Sequence, residues 1–345
     1  MKRPLALWGG AGLALLVLSV TVSLSLGSAK LPLSDVWGVL LSKLPAVGGW
    51  LEGGWAESTE QIILKIRLPR VALALLVGAC LSLAGAGFQG VLRNPLADPY
   101  TLGVASGAAV GAALLIHFGL QAFFLGMWSV PLSAFVFALA SLLLVLRLAN
   151  IQGKYRLETV ILSGVVVSAF LSSVVSLLVS FSDRVVNEIV FWLMGSLAMR
   201  GWPFALVLLP HLALGAAALL ALGRTLNLFA LGEKQAAHLG VNVTRTRLAV
   251  LVVATLLAAA AVSVAGTIGF VGLVVPHLMR LLAGPDYRVL LPLSALYGGI
   301  YVLWADTLAR TMLAPAEIPL GVVTAFLGAP FFAWLLRRSK RANGG

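Results

Sequence analysis

Between Arg70 and Arg93 the chain runs through residues 71–92 without a charge. A helix of that length spans the roughly 30 Å hydrocarbon layer of a bilayer. A chain crossing lipid must satisfy its own backbone hydrogen bonds, so the run reads as a transmembrane helix. Inside it Ala74, Gly78, Ser82, Ala86 and Gly90 recur at every fourth position. Small side chains at that spacing let a second helix approach closely where no hydrophobic force drives association. Arg93-Asn94-Pro95 and Pro99 then make a tight polar turn. Gly103, Gly107 and Gly111 open the next apolar run with a second small stripe.

The rest of the chain repeats this character. Of 345 residues, 60% are hydrophobic and 10% charged, and the mean hydropathy is +1.03. A soluble domain carries about a quarter charged residues. The composition therefore predicts an all-α polytopic membrane protein forming a single domain over residues 1–345. The net charge of +12 fits basic cytoplasmic loops better than a nucleic-acid surface. The one cysteine, Cys80, lies mid-span, so neither an intrachain disulfide nor a thiolate cluster can form.

About ten spans follow in order. Lys2 and Arg3 precede an uncharged run to Ala29, too long for a signal-peptide core despite the small residues Gly27, Ser28 and Ala29. Residues 30–60 are polar. Leu33, Trp37, Leu40, Leu41 and Leu44 share one helical face, which predicts a short surface helix ended by Pro45 and a loop holding Gly48, Gly49, Gly53 and Gly54. Spans two to six are expected near 71–92, 101–118, 128–148, 158–180 and 202–222. Gly153, Lys154 and Arg156 mark a turn between the fourth and fifth. The apolar segment within 181–200 is too short to cross alone and reads as a re-entrant or surface helix. Residues 248–279 hold two spans broken near Gly266–Gly272, and the last two lie near 289–308 and 320–336. Arg337, Arg338, Lys340 and Arg341 follow. The first span is read as uncleaved with its N-terminus in the cytoplasm, so ten spans place the C-terminus there too, and the inner loops then carry roughly twice the Lys and Arg of the outer ones.

Two passages echo each other. Ser82–Gly85 with Phe88, Gly90 and Pro95 resembles Ser263–Gly266 with Phe270, Gly272 and Pro276, allowing one inserted residue. Leu102-Gly103-Val104 resembles Leu320-Gly321-Val322. The copies fall on opposite sides of the expected topology, the pattern of an inverted internal repeat in a transporter.

The sequence narrows the energy source. No G-x-x-x-x-G-K-[ST] run is present, so the chain is not expected to be an enzyme that turns over nucleotide. An ion-coupled secondary transporter needs ionisable groups at membrane depth. Asp306 is the best candidate, yet Arg310 stands four residues on and forms a local pair with it. Glu158 suits a helix N-terminus and Asp98 lies in a turn. A membrane haem protein needs facing axial ligands, and the spacing of His117, His211, His238 and His277 offers no such pair. No cofactor or metal is expected.

The order of these features is specific. "RLPR", the small-residue helix, "NPLADPYTLGV" and "SGA" resemble the bacterial importer permeases for iron–siderophores, haem and cobalamin. These are the membrane subunits of type II ATP-binding-cassette importers. "ALGEKQAAHLG", "GTIGFVGLVVPHLMRLLAGPDYRVLLP" and "AEIPLGVVTAFLGAPFFAWLL" extend the resemblance over residues 60–340. It implies a multi-pass subunit of the cytoplasmic (inner) membrane, working as a homodimer with two copies of an ATPase subunit and an extracytoplasmic substrate-binding protein. It implies alternating-access translocation of an iron complex, most generally a ferric siderophore, with haem and cobalamin open. Residues 223–247 then form a cytoplasmic loop whose Ala230, Leu231, Gly232, Glu233, Ala236, Ala237, Leu239 and Gly240 couple to the ATPase. Arg67, Arg70 and Arg310 then dock the binding protein through its glutamates. Headgroup phosphate is the other ligand such interfacial arginines take.

Overall fold

Small side chains let helices close to backbone contact, and the centre of this molecule is built that way. The structure is a computed structural model describing residues 2–27, 31–43, 54–121, 125–152, 154–182 and 184–343, with side chains described except those of Lys2, Arg3, Lys154 and residues 334–343. The helices of the first half are α1 (Lys2–Ser25), α2 (Leu33–Ser42), α3 (Glu57–Gln61), α4 (Leu68–Leu92), α5 (Val104–His117), α6 (Ser129–Ala149) and α7 (Leu157–Ser180). Then come α8 (Val186–Leu193), α9 (Trp202–Ala221), α10 (Gly223–Ala230), α11 (Glu233–His238), α12 (Val243–Ala265), α13 (Val271–Ala283), α14 (Tyr287–Thr311) and α15 (Leu320–Asn343). A two-residue antiparallel pair, β1 (Asn150–Ile151) with β2 (Lys154–Tyr155), closes the α6–α7 turn.

Helix α4 is the axis. Every residue from Val77 to Leu92 is buried. A Cβ on Gly78 would stand 2.1 Å from the carbonyl oxygen of Gly298, so α14 lies backbone to backbone against it. Gly87 packs on Val250 and Ala254 of α12 and on Leu219 of α9. The second stripe works in the same way. Gly107 and Gly111 of α5 meet the carbonyl oxygens of Phe137 and Ser133 on α6, and Ser133 donates to the Gly111 carbonyl at 2.8 Å.

Seven segments are long and apolar enough to cross a membrane: Pro4–Ser25, Glu57–Leu92, Gly126–Ala149, Leu157–Ser180, Trp202–Ala221, Val243–Ala265 and Tyr287–Ala309. The other predicted spans fall on shorter apolar helices, Val104–His117, Val271–Ala283 and Leu320–Ala333. The chain is thus a polytopic helical membrane protein.

Four details refine the sequence reading. The second span starts earlier, because α3 runs through a π-helical segment, Ile62–Arg67, straight into α4. On α2 the buried face is Val36 and Val39, whereas Leu33 and Trp37 are exposed. Both faces of α2 are apolar, and the bundle takes the smaller, closer-packing side chains. The 181–200 segment, expected as a re-entrant or surface helix, packs inward against α5 and α15. Ile189 packs with Ala113 and Ile116 of α5, and the Met194 and Gly195 carbonyls accept from Gly321 and Leu320 at the start of α15. The break between α12 and α13 is Gly266–Phe270, with Gly266 and Phe270 at positive φ. The loop residues Pro45, Gly48, Gly49 and Gly53, together with Leu44, Gly153 and the side chains of Arg337, Arg338, Lys340 and Arg341, lie outside the described residues and side chains.

Candidate functional site

Three regions along the bundle carry the chemistry. The first is the end where α1 and α14 finish and α4 begins, here the upper end. A helix C-terminus leaves its last carbonyls without intrahelical donors. Arg67 meets this need at α1, donating to the carbonyls of Leu24 and Ser25. Arg310 donates to the carbonyls of Ser23 and Leu26 and to the Ser23 hydroxyl. Both arginines are buried. Arg70 instead forks onto two carboxylates. Its Nε and Nη2 reach Asp306 at 2.9–3.1 Å, and Nη1 and Nη2 reach Glu317 at 2.8 and 2.9 Å. The predicted Asp306–Arg310 pair is present but longer, at 3.7 Å, and Arg70 is the nearer partner of Asp306. Spacing along one helix could suggest only the local pair; the closer partner is 236 residues away. Glu317 lies outside the spans, and the Arg70 guanidinium holds its carboxyl below the usual carboxylate range.

The second region is the opposite, lower end. Helix α10 is pinned by Asn227, whose amide donates to Asp286 at 2.7 Å and whose carbonyl oxygen accepts from the Tyr287 backbone at 2.8 Å. Gly232, at φ 115°, turns the chain into α11, a conformation that favours glycine. Gly240, at φ 84°, ends that turn of helix. Ala236 is buried beneath α11. Glu233 accepts from the Arg247 guanidinium, and Arg247 also donates to the Tyr155 carbonyl, so the base of α11 is tied to α12 and to β2. Leu231, Ala237, Leu239 and Gly240 face outward, with Leu231 and Leu239 about 60% exposed. Of the predicted coupling residues, Ala230, Leu231, Ala237, Leu239 and Gly240 form exposed surface, while Gly232, Glu233 and Ala236 shape the segment.

The third region was not legible in the sequence. A cavity of about 880 Å³ opens between α5, α7, the Thr267–Phe270 loop and α15. Its walls are mainly small and apolar, with hydroxyls from Ser106, Ser172, Ser176 and Thr267 and no charged side chain. Ser106 and Ser172 lie 3.3 Å apart across it. Met194, at the end of the α8 segment, also lines it. The residues come from five stretches of chain, and no spacing rule connects them.

The four histidines do not assemble. His117 bonds Ser182, His211 bonds its own helix at the Val207 carbonyl, and His277 stands beside Phe332. Among the described residues no three His, Cys, Asp or Glu side chains could hold a metal ion.

Residues 15–338 match the family model described as the FecCD transport family. The chain belongs to that family. Among its relatives, the cobalamin import system permease protein BtuC of Halobacterium salinarum is 41% identical over 96% of this chain and 95% of its own. The hemin transport system permease protein HmuU of Yersinia pestis is 42% identical over 84% of this chain and 89% of its own. A solved metal-chelate type ABC transporter in an inward-facing conformation superposes with a TM-score of 0.83 at 36% identity, covering 96% of this chain and 99% of that one. As a FecCD permease the chain is a multi-pass transport subunit of the cytoplasmic membrane and not an enzyme. It works with an ATPase subunit and a substrate-binding protein. Family membership sets aside the ion-coupled carrier and the membrane haem protein.

Proposed function

We propose that two copies of this chain form the gate of an ATP-driven importer for a metal complex, most generally a ferric siderophore. The observation that carries this reading is the cavity between α5, α7 and α15: it is large, free of charge and thinly hydroxylated. Such a wall lets a bulky chelate pass without holding it, because no buried charge is left for a cargo group to pair with. Phe326 of α15 is exposed on its wall, and Phe170 and Leu177 are exposed on α7, which suits a second copy closing the pathway. Ten spans, counting the shorter helices, put both termini and α11 in the cytoplasm. The upper arginines then face the outside.

On this arrangement α11 docks on the ATPase through Leu231, Ala237 and Leu239. ATP binding and hydrolysis move α10 and α11, and Asn227 passes that motion to the start of α14. Arg67, Arg70 and Arg310 form the docking ground for the binding protein. Arg67 and Arg310 act there by holding the end of α1, and Arg70 offers a guanidinium that a partner's glutamate can share. The relatives at 41% and 42% identity are named for cobalamin and hemin, so identity does not rank cargoes.

The deciding experiment is uptake into proteoliposomes holding the permease with its ATPase and binding protein. Ferric siderophore, haem and cobalamin are offered side by side. ATP-dependent accumulation of the iron chelate supports the reading, and preference for cobalamin or haem replaces that cargo. Uptake by the permease alone would overturn it.

A further inference from the structure

At the lower end, a second cavity of about 320 Å³ lies where α4, α10, α13 and α14 meet. Gln89, Arg93, Asn94, Ala230, Arg280 and Tyr287 supply its walls. Its polar groups are built with care. Gln89 is buried, and its amide donates to the Gly272 carbonyl at 3.0 Å, which fixes its oxygen toward Arg280. That oxygen accepts from Nη1 and Nη2 of Arg280 at 3.2 and 3.1 Å, and the Tyr287 hydroxyl stands 3.4 Å from Nη2. Arg280 is therefore held in one orientation by neutral partners only. Arg93, exposed at the end of α4 with φ 48°, lines the same cavity. Neither arginine has a carboxylate within salt-bridge distance among the described residues, whereas Arg247 and Arg288 at the same end pair with Glu233 and Asp286. Two arginines without a carboxylate partner make this cavity electrostatically suited to an anion.

The geometry points to a carboxylate side chain of the ATPase subunit as the occupant. Ala230, the last residue of α10, forms part of the wall, so a partner seated on α11 reaches the opening directly. A planar carboxylate matches the guanidinium fork and the side-chain amide of Asn94. Engaging this site ties the partner to α4, α13 and α14 at once, and α4 is the axis of the bundle. The inference rests on the reading that α11 is the ATPase contact.

The test measures binding of the purified ATPase subunit to the full-length permease in phosphatidylcholine nanodiscs at low and moderate salt. The variants are Arg93→Gln, Arg93→Lys, Arg280→Lys and Leu239→Asp. Loss of the Arg93 charge weakens binding on the order of tenfold and flattens its salt dependence, with Arg93→Lys recovering most of the loss. Arg280→Lys keeps the charge but not the fork and weakens binding severalfold. Unchanged affinity and salt slope in Arg93→Gln, with Leu239→Asp still abolishing binding, overturns the carboxylate seat and leaves the α11 reading standing. Unchanged binding in Leu239→Asp overturns the α11 reading itself. A second arm uses the permease without ATPase. Arg93-dependent thermal stabilisation by phosphatidylglycerol nanodiscs, or by inorganic phosphate, would assign the cavity to a lipid headgroup or a free anion and overturn the proposal.

Discussion

Gly85 on α4 meets Gly272 on α13 so closely that a Cβ on Gly85 would lie 2.0 Å from the Gly272 carbonyl oxygen. Gly272, which corresponds to Gly90 in the sequence echo, packs against Gly85, more than a turn earlier on α4. This closeness brings the Gly272 carbonyl within reach of Gln89, and so orients Arg280.

Replacing Gly85 with valine is expected to cost about 1–3 kcal/mol, because backbone rather than a flexible side chain blocks the new atoms. Gly10→Val, where nothing stands within 4 Å of the Cβ position, is the control and should leave stability unchanged. Thermal unfolding in detergent compares the two.

Asp306 is buried and holds Arg70, with Arg310 beside it. Asp306→Asn leaves two guanidiniums at the upper end sharing only Glu317. Removing one member of a buried ion pair costs about 3 kcal/mol. The expected result is a lowered unfolding midpoint, with Glu317→Gln, at the exposed carboxylate, costing much less.

Leu239 is exposed at the end of α11 and does not support the bundle. Leu239→Asp should therefore leave permease unfolding unchanged while reducing ATP-driven uptake at least about tenfold, as loss of an apolar anchor does at an interface. Uptake and thermal stability measured on the same preparation separate the two effects.

Asp286 caps α14 from outside the membrane spans. Hydrogen bonds from the Arg288 guanidinium, then from Asn227 and the Arg288 backbone, hold its carboxyl well below the usual carboxylate range. A carboxyl depressed in the fold contributes stability that is complete above its ordinary pKa of about 4 and is lost as pH falls toward the lowered value. The midpoint gap between wild type and Asp286→Asn should be full at pH 7, unchanged at pH 6, and narrower at pH 3. Detergent unfolding at those three values checks it.

How much of this was legible beforehand depended on the range of the interaction. The uncharged runs announced the spans, and the glycine stripes announced which faces close up. Helix boundaries at Ala149, Ser180 and Trp202 fell where charge and proline placed them. The segment proposed to couple to the ATPase stood out as a polar stretch that keeps alanine and leucine. Asp306 shows the limit. Its neighbour at i+4 suggested a local pair, while its nearer partner came from another helix.

The sequence by itself determined that this chain spans a membrane many times, that its helices touch through glycine, and that it carries no G-x-x-x-x-G-K-[ST] loop. Those properties follow from side-chain size, apolarity and local spacing, which act within a few turns of helix. Only the tertiary structure decided that Arg67 and Arg310 turn inward to the end of α1, that α8 folds back beside α5, and which hydroxyls line the cavity. Each of those outcomes joins residues far apart in the chain, and burial selected them by requiring every enclosed carbonyl and guanidinium to find a partner.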